Sequence, residues 1–130
     1  MAEDFGRLML RLGIGGMMLF HGVHKLFNGL DPVAAMLASH KLPDALAYAV
    51  YFGEIVGPLL VVLGLFARVG AFLIAAEVAA LVALGGAAQL IAVTPDGGYA
   101  LELETLYLTG ALAILFLGPG KLAIAKGRFQ

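Results

Sequence analysis

Apolar residues fill this chain in long blocks, and polar residues interrupt them at only a few points. The stretch between Arg11 and His21 carries no charge. A cluster of breakers follows it: Asn28, Gly29, Asp31 and Pro32. Similar blocks resume after Pro43 and after Arg68, and again after Thr94-Pro95-Asp96-Gly97-Gly98, a turn by composition. Gly118-Pro119-Gly120 stops the last one. The pattern predicts helical spans over about 5–27, 45–66, 69–93 and 99–117. Each approaches the ~20 residues that cross about 30 Å of hydrocarbon. A short amphipathic piece, 33–39, is expected at the interface within the first loop.

Composition makes the solvent clear. Apolar residues are 62% of the 130 and charged ones 13%, against roughly 45–50% and about 25% in soluble domains. So small a soluble fold cannot bury that much apolar surface. The expected fold is therefore all-α: one polytopic membrane domain over 1–130, an antiparallel four-transmembrane-helix bundle joined by short connections. The acidic start, Glu3 and Asp4, and the length of the first block predict a retained helix rather than a cleaved signal.

Charge sets the orientation. Arg7, Arg11, Arg68, Lys121, Lys126 and Arg128 fall on one side, and Lys25 and Lys41 on the other. The positive-inside rule places both termini in the cytoplasm, with Arg7 and Arg11 snorkelling to the headgroups. A bacterial inner membrane is the expected location. A net charge of −1 gives no nucleic-acid footprint, and the absence of cysteine excludes thiolate metal sites and disulfide relays.

Ionisable groups inside a span are costly and should face the bundle interior. On the first span Arg7, Arg11, Ile14, Met18, His21 and Lys25 recur at steps of three and four, on one stripe. Tyr48, Tyr51, Glu54 and Pro58 form a second stripe, and Glu102, Thr105 and Thr109 a third. His21, Lys25, Glu54 and Glu102 then share the outer half of the bundle and are the primary candidates for ligand binding or proton handling. His24, Tyr51, Glu104 and Tyr107 are secondary; Glu104 points to a different face. Glu77 is placed on the cytoplasmic half, as a structural partner of Arg11 or Arg68. Pro58 predicts a kink beside Glu54, and Gly53 with Gly57 allows close helix packing. His21 and His24 lack an accompanying Glu-x-x-His pattern, and no metal site is expected.

These residues resemble the DoxX family of small membrane proteins. The likeness rests on Arg11-Leu12-Gly13 with Phe20-His21-Gly22-Val23-His24-Lys25-Leu26, and on Gly53-Glu54-Ile55-Val56-Gly57 with Leu63-Gly64-Leu65-Phe66-Ala67-Arg68. Gly98-Tyr99, Glu102, Leu106-Tyr107-Leu108 and Gly118-Pro119-Gly120 continue it. The tail, 121–130, lacks the Ser-x-Asp usual after Gly-Pro-Gly, and His24, Glu77 and Glu104 are additions. The resemblance implies a four-helix membrane fold and carries over Arg11, His21, Lys25, Glu54, Arg68 and Glu102. It also implies a membrane oxidoreductase complex, since relatives include the small subunit type of a thiosulfate:quinone oxidoreductase.

The expected function is thus an integral membrane subunit of a redox system binding a quinone-like or other apolar ligand. The chain has no flavin, dinucleotide or other self-sufficient catalytic motif, so electrons would come from a redox protein partner. Besides the lipid bilayer, a second copy in a homo-oligomer is the other partner considered. The alternatives are a non-catalytic scaffold or assembly subunit and a small proton-linked transporter.

Overall fold

The computed structural model describes residues 1–85 and 91–124. Gln89, Lys126, Arg128 and Gln130 lie outside the described residues. Helix α1 is Ala2–Asn28, α2 Asp31–Ser39, α3 Gly57–Leu63, α4 Ala67–Leu84 and α5 Glu102–Leu117. A 3-10 turn, Asp44–Ala49, and a π-helical turn, Phe52–Val56, precede α3 and run into it as one span, Asp44–Leu63. The described residues hold no strand, only one antiparallel bridge between Val93 and Tyr99.

The structure has five α-helices because α2, the amphipathic piece expected in the first loop, is a helix of nine residues. Among the described residues, Asp44–Leu63 and Ala67–Leu84 are long and apolar enough to cross a membrane. Helix α1 has the length, but His21, His24, Lys25, Arg7 and Arg11 dilute its apolar run, and α5 has 16 residues. The third span ends at Leu84, not Val93: Val93 lies in the hairpin around Thr94-Pro95-Asp96-Gly97-Gly98. The last helix begins at Glu102 rather than Tyr99 for the same reason, since Tyr99 is the bridge partner.

Helix α1 packs on α3 and α5, and α4 packs on both as well, so the contacts close into a ring. Met18, Val61, Ala71, Ile74, Ala111 and Ile114 fill the centre. Small residues let the backbones approach. Added Cβ atoms at Gly57 and Gly70 would each strike the other's carbonyl oxygen, at 2.8 and 2.6 Å. One at Gly53 would overlap the Glu77 side chain. The Gly53/Gly57 pair thus seats the second span on α4, as its spacing suggested. Beside this centre, Val33 and Leu37 of α2 fold onto Ala47 and Val50 in a smaller apolar cluster.

Pro58 acts through the turn before it. It offers no N–H, and the Gly57 N–H bonds Phe52 O, five residues back, giving the wide π turn that contains Glu54.

At the opposite end from Lys25, Arg11 is 1% exposed and does not snorkel. Its Nε donates to Val61 O at 2.9 Å and Nη2 to Val62 O at 3.0 Å. Its Nη1 donates to Pro119 O at 2.9 Å and Leu122 O at 2.7 Å. The guanidinium therefore satisfies carbonyls at the C-terminal end of α3, where the helix dipole also favours a cation, and ties the Gly-Pro-Gly segment to them. Gly64, at φ 75°, turns the chain out of α3, and a Cβ there would meet Arg11 Nη2 at 2.7 Å. Lys121 N donates to Asp4 Oδ1 at 3.1 Å and Ile124 N to Leu63 O at 3.0 Å.

Candidate functional site

Three elements converge near the Lys25 end of α1. Gly22 lets α1 lie against the main chain of the π turn, since an added Cβ would overlap Glu54 O. One helical turn on, Lys25 Nζ reaches both carboxylate oxygens of Glu54, at 2.7 and 2.6 Å. Glu54 is 2% exposed. Such a charge needs a partner, and the two-point contact supplies it. Tyr51 OH donates to Lys25 O at 3.4 Å, fixing the second span against α1 from the same side.

Glu77 of α4 enters through the notch at Gly53, and its carboxyl interacts with that of Glu54. It therefore belongs to the polar cluster, not to Arg11 or Arg68. Depth explains the misplacement. Glu54 lies nine residues before the end of α3, and Glu77 ten after the start of α4. Counted from the tight turn joining the two helices, equal rises put both carboxyls at one level. Measuring instead across a span drawn to Val93 assigns Glu77 to the other half.

The cluster opens on a cavity of about 380 Å³. His21, Lys25, Glu54 and Tyr107 line it, joined by Glu77 and Glu104. The His21 and Tyr107 rings meet edge to face, with centroids 5.9 Å apart and planes at 81°. Met18, Val78 and Leu81 supply apolar walls. The arrangement sets one ammonium, an imidazole, a phenol and three carboxyl groups around an otherwise greasy space.

Helix α5 is rotated from the expected orientation. Tyr107, Ala111 and Ile114 face inward, while Glu102, Thr105 and Thr109 are exposed. Glu102 lies outside the cavity, with Oε2 over Gly98, where a Cβ would meet it at 3.1 Å. Glu104 lines the cavity in its place, one turn before Tyr107. Apolar positions on α5 surround it almost evenly, so the stripe of polar residues was a poor guide; the small residues Gly110 and Ala111 mark the packed face. His24 is exposed and held by Asn28 Nδ2, 3.1 Å from its Nδ1. Arg68 is exposed, its guanidinium against Gly118. Among the described residues, no three His, Asp or Glu side chains converge to hold a metal ion.

The architecture is an all-helical bundle around a buried ion pair, with two helices, Asp44–Leu63 and Ala67–Leu84, long and apolar enough to cross a membrane. A family model described as DoxX matches residues 6–94. A protein of Haemophilus influenzae described as uncharacterized is 30% identical over 124 residues, 93% of this chain and 89% of its own length. No solved structure matches the chain. The chain belongs to the DoxX family. The matched region holds His21, Lys25, Glu54 and Glu77, whereas Glu104 and Tyr107 lie beyond it.

Proposed function

We propose that the chain is an integral membrane subunit of a redox system that binds a quinone-like or other apolar ligand. The observation that carries this reading is the cavity beside the Lys25–Glu54 pair, lined by both polar and apolar side chains. A redox-active head of this kind needs polar groups at its ends and a route for protons. His21 and Glu54 are suited to exchange them, with Lys25 compensating charge and Tyr107 holding the His21 ring. Electrons come from a partner protein, because these side chains carry none.

In this proposal 1–130 form one membrane domain, with four membrane-crossing elements: α1, Asp44–Leu63, α4 and α5. Both termini are cytoplasmic, in a bacterial inner membrane. Single cysteines introduced at Arg68 and Gln130 should then resist an impermeant thiol reagent in intact cells, while one at Lys41 should react. The parent has no cysteine, so the background is clean. Labelling at Arg68 in sealed cells would reverse the orientation.

The function is tested by mass spectrometry of small molecules retained by the purified protein, with Glu54→Gln and His21→Ala beside the parent. A redox-active apolar compound in the parent, depleted in folded variants, supports the proposal. Ligand-free parent protein, with variants that lose only stability, would instead favour a scaffold role. Arg11 and its four carbonyl bonds are the observation on that side. Flux of a solute into liposomes that depends on Glu54 would favour a proton-linked transporter.

A further inference from the structure

Three arginines converge on Gly118-Pro119-Gly120, at the end of the bundle away from the polar cavity. Arg11 Nη1 holds the Pro119 carbonyl at 2.9 Å. Arg68 lies against Gly118, where an added Cβ would meet its Nη2 at 2.9 Å and its Nε at 3.2 Å. Arg7 lies against Gly120, where an added Cβ would meet its Cδ at 3.2 Å. Two residues of chain span at most about 7 Å, so Arg68 and Arg7 flank one proline. Their charges are unequally met. Arg11 is engaged by four carbonyls. Arg7 Nη1 is 3.6 Å from Asp4 Oδ1 and 4.0 Å from Glu3 Oε2, but its Nε is buried with no hydrogen-bond partner among the described residues. Asp4 Oδ1 also accepts from Lys121 N. Arg68 is exposed and makes no hydrogen bond or ion pair among the described residues. It stands in the first turn of α4, which has no acidic residue and no side-chain cap, so the helix dipole adds to its positive potential.

We propose that Arg68 and Arg7 hold the phosphate of an anionic phospholipid at this end of the bundle. A guanidinium offers a phosphate two parallel hydrogen bonds, and the bare Gly118 leaves space for that fork. Exposed apolar residues adjoin it. Phe66 and Val69 neighbour Arg68 and are 40% and 52% exposed, and Leu117 precedes Gly118 at 48%. They meet acyl chains, which a free phosphate lacks, so the occupant is a lipid and not an ion. A zwitterionic headgroup brings its own cation to a place where positive charge is already in excess, whereas an anionic one neutralises it. The inference goes beyond the redox-ligand reading and does not involve the polar cavity.

Binding of dioctanoyl phosphatidylglycerol, dioctanoyl phosphatidylcholine and inorganic phosphate is measured by calorimetry on the purified protein in one uncharged detergent. Phosphatidylglycerol should bind about tenfold or more tighter than either of the others, consistent with hydrogen bonds between charged groups. Arg68→Gln should erase that preference, and Arg7→Gln should reduce it. Arg68→Lys keeps the charge but loses the fork, so a weakened preference should survive it. That variant carries the test should Arg68→Gln misfold. Lys41→Gln, at the opposite end of the bundle, should change nothing. Equal binding of the two lipids would show nonselective coating by hydrocarbon and overturn the inference. Phosphate bound as tightly as phosphatidylglycerol would show an ion site without a lipid and overturn it too. A preference unchanged in both Arg68 variants would place the selectivity elsewhere, with the same consequence.

Discussion

Gly22 rests on the main-chain carbonyl of Glu54, with no room for a methyl group between them. The ion pair is thus built on backbone contact before any side chain reaches across. Lys25 sits one turn beyond Gly22 and comes into register with the Glu54 carboxylate because the helices touch there. The π turn aids this approach by widening the second span where α1 meets it.

Gly22→Ala should accordingly destabilise the protein by about 1–3 kcal/mol, the usual range for forced overpacking. Gly13→Ala is the matched control, because nothing lies within 4 Å of its added methyl. Helix propensity should make that change neutral or stabilising by up to about 1 kcal/mol. Thermal unfolding in one detergent distinguishes them. Equal midpoints for the two variants would mean that the α1 contact is not tight.

Arg11 should not tolerate Lys. An ammonium is a single point with three donors, while the four carbonyls around Arg11 match the fork of a guanidinium. Arg11→Lys is expected to cost about 2 kcal/mol or more, since bonds to charged groups contribute roughly 1.5–3 kcal/mol each. Hydrogen exchange should rise first at the amides of Lys121 and Ile124, which bond Asp4 and the end of α3 beside the clasp. Unchanged exchange there would count against the clasp.

Arg11 also shows where sequence reading stopped. Its stripe with Met18 and Lys25 was legible from spacing alone; of that stripe Arg11 and Met18 are buried, whereas His21 is exposed and the small residues Gly15 and Gly22 complete the packed face. Its partners were not, because backbone carbonyls have no sequence signature and the segment supplying two of them lies over a hundred residues away. The same limit applies to Glu77, whose level became evident only once α4 had a definite end. Glu54 was legible because a carboxylate amid so long an apolar run needs a partner. The rotation of α5 was not, since an almost uniformly apolar helix carries little orientation signal.

The turn before α5 has its own pH dependence. The Thr94 hydroxyl donates to Asp96, and Gly98 N donates to Thr94 Oγ1 at 3.1 Å. The Thr94 bond holds the Asp96 carboxyl below its ordinary value. A lowered folded value means that its support for the turn is present above the unfolded pKa and is lost as pH falls through the folded one. Thr94→Val should move the Asp96 titration, followed by carbon NMR, up toward the ordinary carboxylate range. An unmoved titration would show that the hydroxyl does not act on Asp96.

The pairing of Lys25 with Glu54 makes the last prediction. Removing one partner from a buried pair leaves an uncompensated charge and typically costs about 3–5 kcal/mol. Lys25 retains some solvent access, with 21% of its side chain exposed, so losses at the low end are expected for Lys25→Met and Glu54→Met alone. In Lys25→Met the remaining carboxyls, Glu54 and Glu77, face each other without a cation, and a proton must replace it. Stability of that variant should therefore fall more steeply than the parent's as pH rises. The double variant removes both charges and should be more stable than the sum of the single losses predicts, with a coupling of about 0.5–3 kcal/mol. The cycle is measured by unfolding at several pH values. Additive losses with no change of slope would mean that the two side chains do not depend on one another.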